Sequence, residues 1–344
     1  MLFSVSLLAA AVACQNALEV VAGSAVHKTL AGLVTTLPDI ANLLKGTSNL
    51  TLFAPTDDAF KALNTNSPDT YKAVTSNNTL LAQVLTYHVL PGVVFDPAIA
   101  KARNFVKTGL AASTLRADVA LPAVTLYFGL GKAMVTSSAK VSNGVVHIID
   151  AVMTPPMSAS KTAVAAGLTR LVAALTKVKF VETVDGAKDI TILAPTNAAF
   201  EALDAFAAAN NLTITDAILS AVLNLHIIPG TAYSTDLVGL PQPLSLKSAY
   251  NEVAVTGTAN AEGVKLSGPD NKTPGTVTTA DVLIEGGVVH VIDTVLLPTL
   301  STIKAGAIIP PTLPSSSKPQ ATGLANSAVS IGASLLSVML FCLN

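Results

Sequence analysis

Tryptophan is absent from these 344 residues, aromatic side chains make up only 4%, and charged ones 12%, where about 25% is usual. No run of Lys or Arg occurs and the formal net charge is −1. Duplex nucleic acid needs concentrated positive charge to displace its counterions, so it is excluded as a partner. Cysteine is almost missing too: Cys14 and Cys342 are the two present. That rules out a disulfide framework and a thiolate zinc site. What remains is abundant aliphatic content, 51% of residues being hydrophobic. Such a chain can bury a large core and does not read as disordered. Its length has room for about two domains.

The two ends differ from the middle. Residues 1–14, "MLFSVSLLAAAVAC", have the apolar run and small residues of a signal peptide, although the positive n-region is missing. A lipoprotein reading of Cys14 lacks the leucine expected three positions earlier. The far end, "AVSIGASLLSVMLFCLN", is short for a spanning helix and has no flanking charge. Small residues, a spacer and a terminal apolar tail form a GPI-attachment signal. Asn326 is the expected attachment site, with 327–344 removed; a membrane tail anchor is the alternative. Residues 301–326 form a Pro/Ser/Thr stalk.

Between the ends the chain is written twice. "LTLFAPTDDAF" from Leu50 returns as "ITILAPTNAAF" from Ile190. "LLAQVLTYHVLPG" returns as "ILSAVLNLHIIPG", and "NGVVHIIDAVMTPP" as "GGVVHVIDTVLLPT". Three blocks in one order, each repeated after about 140 positions, mean two whole domains rather than a solenoid. Their expected extents are 17–157 and 160–300. In each, a β-rich run closes at proline, and Thr56 or Asp57 (Thr196 or Asn197) can cap the helix that follows. Leu80, Leu81, Val84 and Leu85 share one helical face. "GVVHIIDAVM" reads as a buried strand opened by Asn-Gly. Early helices followed by late strands give an α+β class.

These paired blocks resemble the signature segments of the fasciclin (FAS1) domain, over nearly all of residues 17–300. The resemblance implies two tandem FAS1-like domains, each a β-sandwich or wedge with packed helices. It also implies extracellular adhesion or matrix and cell-wall association, frequent GPI tethering to the outer face of the plasma membrane, and no catalytic activity or cofactor. The partners implied are a protein or glycan of the matrix, wall or cell surface, the membrane through the GPI lipid, and weak self-association. Two linked weak sites would gain avidity.

The residues that could carry chemistry each have a plainer reading. His147 and Asp150, like His290 and Asp293, could form a hydrolase dyad. Residues i and i+3 of a strand point to opposite faces, however, which favours structural hydrogen bonding. His88 and His226 recur with them, but two histidines per repeat are too few for a metal. Tyr87 and His88 are the adhesion candidates, because the resemblance implies integrin contact there; packing explains them equally, and the second repeat has Leu225. Asp57-Asp58 becomes Asn197-Ala198, a change that capping tolerates and calcium binding does not. Asn49, Asn77, Asn211 and Asn271 sit in N-x-Ser/Thr acceptors, Asn77 and Asn211 in the more favourable polar stretches. A pocket for a small apolar ligand between helix and sheet is a third reading.

Overall fold

A computed structural model describes residues 15–302 except 112, 261 and 262. The expected signal peptide with Cys14, most of the stalk, Asn326, the C-terminal tail and Cys342 lie outside the described residues. The chain divides into two compact units between Pro155 and Pro156.

The first unit opens with three short helices, α1 (Ala17–Gly23), α2 (Lys28–Thr35) and α3 (Pro38–Lys45). Strand β1 (Leu50–Pro55) leads into α4 (Asp57–Asn66), α5 (Pro68–Ser76) and α6 (Asn78–Tyr87). After β2 (Val89–Pro91) comes a meander of β3 (Arg103–Lys107), β4 (Thr114–Ala120), β5 (Ala123–Phe128) and β6 (Gly131–Val141), then β7 (Gly144–Ile149). The strands form one seven-stranded sheet in the order β2-β1-β7-β6-β5-β4-β3. The first and last signature blocks are neighbours in it: β1 and β7 run parallel, Leu50 opposite Gly144 and Phe53 opposite His147. Every residue of β1 is buried, as suits a strand covered on both faces.

Alternation along β1 divides two cores. Leu50, Leu52 and Ala54 pack with α1–α3 and α6, while Phe53 faces Tyr87, Leu115, Leu126 and Met153 beneath the meander. The glycine after Asn143 is required by close approach: Gly144 has φ +142°, and a Cβ there would lie 1.8 Å from the carbonyl oxygen of Leu50. In α6, Leu81, Val84 and Leu85 are buried, but Leu80 is 38% exposed, at the edge of the apolar stripe rather than inside it.

The second unit repeats this plan. It comprises α7 (Ala159–Ala165), α8 (Thr169–Lys177), α9 (Val181–Gly186), β8 (Ile190–Pro195), α10 (Asn197–Ala209) and α11 (Asp216–Leu225). Then follow β9 (Ile227–Pro229), α12 (Ser234–Gly239), β10 (Leu244–Lys247), β11 (Ala254–Asn260), β12 (Gly263–Ser267), β13 (Gly275–Ile284) and β14 (Gly287–Ile292). Its sheet order, β10-β11-β12-β13-β14-β8-β9, is the same path, with β8 and β14 parallel. Each unit is thus an α+β fold built around its own sheet, as expected.

No helix among the described residues is long and apolar enough to cross a membrane.

Candidate functional site

Two recurring polar residues, Thr51 with His147 and Thr191 with His290, meet at one buried place in each domain, where the loop after the second strand is held to the parallel pair. In the first, the Thr51 hydroxyl donates to the carbonyl of Val93 at 2.7 Å and accepts from the amide of Phe95 at 2.8 Å. The carbonyl of Phe95 accepts from His147 Nε2 at 2.9 Å, and His147 Nδ1 accepts from the Ser138 hydroxyl at 2.7 Å. In the second domain Thr191 bonds Gly230 and Ala232 in the same way. His290 Nε2 donates to the carbonyl of Ala232 at 2.9 Å, and its Nδ1 accepts from the amide of Asp281 at 3.3 Å. A single threonine inside an apolar strand shows no pattern, so Thr51 and Thr191 do not stand out along the chain. Their recurrence at the second position of both strands was the available signal.

The other histidine pair ties helix to chain end. His88 Nδ1 donates to the carbonyl of Val84 at 2.7 Å, and its Nε2 accepts from the amide of Met153 at 3.0 Å. His226 does the same between Val222 at 2.7 Å and Leu296 at 3.0 Å. Carbonyls only accept and amides only donate, so these partners set the tautomers: Nδ1–H in His88 and His226, Nε2–H in His147 and His290. All four rings are neutral, with both nitrogens engaged. Burial holds their pKa values below the ordinary range, down to about 4 for His88 and His226. A general base needs a free lone pair within reach of substrate; these rings have none.

The strand geometry also separates each histidine from its aspartate. Asp150 is exposed and accepts from the amide of Met134 at 2.7 Å; Asp293 is exposed and accepts from the amide of Thr276 at 2.7 Å. The structure therefore does not assemble a His–Asp dyad. Among the described residues no group of three His, Cys, Asp or Glu lies together as a metal would require.

Tyr87 is 0% exposed, and its hydroxyl donates to the carbonyl of Thr114 at 2.9 Å. His88 is buried beside it. Both adhesion candidates are interior residues, and Leu225, equally buried, fills the matching place in the second domain. The Tyr-to-Leu difference is an exchange within the core.

Capping is divided between two residues. Thr56 and Thr196 cap the helices they precede, each accepting at 3.2 Å from Ala59 or Ala199. Asp57 instead reaches back across 28 residues to the amide of Thr29 at 2.7 Å and to that of Lys28, capping α2. Those amide bonds hold its carboxyl below the usual range. Asn197 bonds the amide of Arg170 at 3.1 Å and the carbonyl of Gly167 at 3.0 Å, capping α8. We expect Asp57→Asn to be nearly neutral and Asp57→Ala to cost about 1 kcal/mol in urea unfolding of the first domain. Equal losses in both variants would point to charge rather than capping.

The four glycan acceptors fall in different settings. Asn77 is exposed and caps α6 through its Oδ1, receiving the amides of Thr79 and Leu80. Asn211, exposed with φ +52°, follows α10, and Asn49 is exposed just before β1. Asn271 is half-buried: its Oδ1 accepts from Gly268 and Leu297, and its Nδ2 donates to the carbonyl of Val295.

Thr51→Val tests the loop tie directly. It keeps the shape but strands the Phe95 amide and the Val93 carbonyl, so a loss of about 2 kcal/mol is expected in chemical denaturation. A loss under about 0.5 kcal/mol, within the usual range for surface substitutions, would show that the loop does not depend on Thr51.

Twice over, then, a wedge-shaped α+β domain closes on a parallel strand pair, with its repeated polar residues consumed in holding loop and chain end. The same sequence matches the Fasciclin domain family over residues 25–155 and again over 166–298. The chain belongs to the fasciclin family, as a tandem two-domain member. It is similar to a fasciclin-like arabinogalactan protein of Arthroderma benhamiae, 26% identical over 78% of this chain and 63% of that protein. A second such protein, from Phaeosphaeria nodorum, is 26% identical over 79% of this chain and 86% of its own length. An immunogenic protein of Mycobacterium bovis is 34% identical over 41% of this chain and 71% of its own. The FAS1 domain pair of the insect cell adhesion molecule Fasciclin I aligns over 78% of this chain and 96% of its own, at 19% identity and a TM-score of 0.39. The present chain spans less than two thirds of the Arthroderma relative.

Proposed function

We propose that this protein is an extracellular adhesion or matrix-association protein, tethered by a GPI lipid and presenting two fasciclin domains to a wall, matrix or cell-surface component. The observation that carries the reading is the use of every recurring polar side chain for internal closure. Four buried histidines with both nitrogens bonded leave the domains their surfaces, not a reactive cleft, to work with. Membership of the fasciclin family supports it, as does the C-terminal sequence pattern. Two linked domains raise weak contacts through effective concentration without any new contact.

Treating intact cells with phosphatidylinositol-specific phospholipase C tests both parts. Release of the protein into the medium, together with loss of cell attachment, is the expected result. Retention on the cell rejects the GPI anchor, and unchanged attachment after release rejects the adhesive role.

One feature favours the small-ligand alternative, an apolar cavity of about 40 Å³ in the second domain between α7–α8 and the sheet, lined by Ala159, Ala163, Leu171, Leu223 and Val289. An apolar cavity of about 150 Å³ accommodates benzene, so a ligand here would have to move α7. A flat thermal-shift screen with lipids removes this alternative.

A further inference from the structure

The two domains share a sheet path but not the outward face of its meander. Successive strand residues alternate between core and outside. In the first domain Leu115, Ala117, Leu126 and Ala133 point inward to the core. The register then places the outward residues in rows across the strands. One row runs Phe105, Arg116, Tyr127, Lys132; the next runs Arg103, Asp118, Thr125, Met134; Lys107 sits beside Thr114. Four cations and one carboxylate occupy this face. Arg103 and Arg116 both reach Asp118 Oδ1, at 3.1 and 3.4 Å. The Arg116 guanidinium lies 3.7 Å from the centre of the Tyr127 ring, and the residue is 9% exposed. Lys107 and Lys132 are exposed, without an ion-pair partner among the described residues.

The equivalent face of the second domain is built from different chemistry. Ser245 lies opposite Thr256 and Thr258 opposite Lys265. Lys247, at its edge, is neutralised by Glu252 at 3.0 Å.

We propose that the outward face of β3–β6 in the first domain binds an anionic polysaccharide through the carboxylates of its sugar units. The inference rests on the adhesion reading and supplies a partner chemistry for it. Three features favour a polymer of sugars. First, the charges are one-sided: net positive on a protein whose overall charge is −1. Second, Arg116 and Lys132 stand two strands apart in one row, roughly 10 Å at normal strand spacing, so a linear chain crossing the strands meets two cations in succession. Each exposed ion pair is worth only about 0–1 kcal/mol, so a single sugar acid is held weakly and a repeating one gains by multiplication. Third, Arg116 is held flat by Tyr127 and Asp118. Its planar fork is therefore ordered before a carboxylate arrives, which lowers the entropy lost on binding. A protein partner is the competing occupant, because Phe105, Tyr127 and Met134 share these rows and are residue types that protein interfaces favour; the polyglutamate arm of the test stands for it.

The test uses the full secreted chain on immobilised polygalacturonate, with neutral dextran and polyglutamate as comparisons. Retention on polygalacturonate alone is expected, weakening steeply as salt rises from about 0.05 M to about 0.5 M, where screening shortens from more than 10 Å to a few ångströms. The double variant K107E/K132E alters two exposed side chains outside the core and should keep the wild-type melting temperature. It is expected to weaken binding more than about tenfold, a difference of about 1.4 kcal/mol. R116K, which keeps charge but loses the fork, should weaken it less, and K265E on the second domain should leave it unchanged. Equal binding by wild type and K107E/K132E, equal retention on dextran, or capture by polyglutamate alone each overturns the proposal. Cells displaying the wild-type chain separate the two readings. Attachment that persists when the wild-type chain shows no polygalacturonate binding sinks this inference and spares adhesion. Absence of attachment with the wild-type chain sinks the adhesive role itself.

Discussion

His88→Ala is expected to destabilise the first domain by about 4 kcal/mol, enough to remove much of the roughly 5–15 kcal/mol that holds a domain folded. The loss has two sources. The Met153 amide is left without its acceptor, and an unsatisfied buried group costs about 1–3 kcal/mol; the Val84 carbonyl loses the ring but keeps the backbone amide of residue 88. The vacated ring volume adds a cavity term, since a fully buried side chain is removed and its neighbours relax only in part. His226→Ala should act equally on the second domain, where the Leu296 amide is the stranded partner. Urea unfolding of the two-domain chain is the measurement. Each variant should shift one transition and spare the other. A melting temperature unchanged by either substitution would mean that these rings are not structural ties, and would reopen a chemical role for them.

Acid should unfold both domains for the same reason. The folded-state pKa of His88 and of His226 is about 4, against about 6.5 in an unfolded chain. Between these values the unfolded state binds more protons, so stability falls as pH falls. The contribution is whole above about pH 6.5, declines through the window down to 4, and is fully lost below it. At about 1.4 kcal/mol per pKa unit, each ring accounts for about 3 kcal/mol in its own domain. His147 and His290 are shifted in the same direction by burial and steepen the loss. Asp57 works at a lower pH: amide bonds depress its carboxyl, and its contribution disappears as pH falls through the folded-state value. Urea midpoints measured from about pH 7.5 to 4.5 should drop continuously below about 6.5. A flat profile between 7 and 5 would contradict the neutral, doubly bonded rings.

Much of the architecture was legible because it is written in short-range terms. Thr56 and Thr196 cap the helices that start beside them, and a cap is settled within three residues. The opposite pointing of His147 and Asp150 follows from the two-residue period of any strand. Duplication of three ordered blocks was enough to mark two domains, since each block recurs with its neighbours. Asp57 shows where such reading stops. Its place at the start of α4 suggests a local cap, yet its carboxylate serves α2, 28 residues earlier. Tyr87 is similar: a tyrosine at a helix end reads as surface or core until the meander covers it with Thr114.

The repeat, the α+β class and the strand faces are legible along the chain, because these depend on residues near one another; at the helix starts the chain leaves Thr56 and Asp57 as rival caps, and folding assigns the role to Thr56. That Thr51 holds Phe95 and His88 holds Met153 emerges on folding alone. Folding also brings Arg116 and Lys132 into one row of the first domain's meander. Those partners lie tens of residues apart, and an isolated donor is compatible with any acceptor until folding brings one carbonyl within hydrogen-bonding distance and buries the pair away from water.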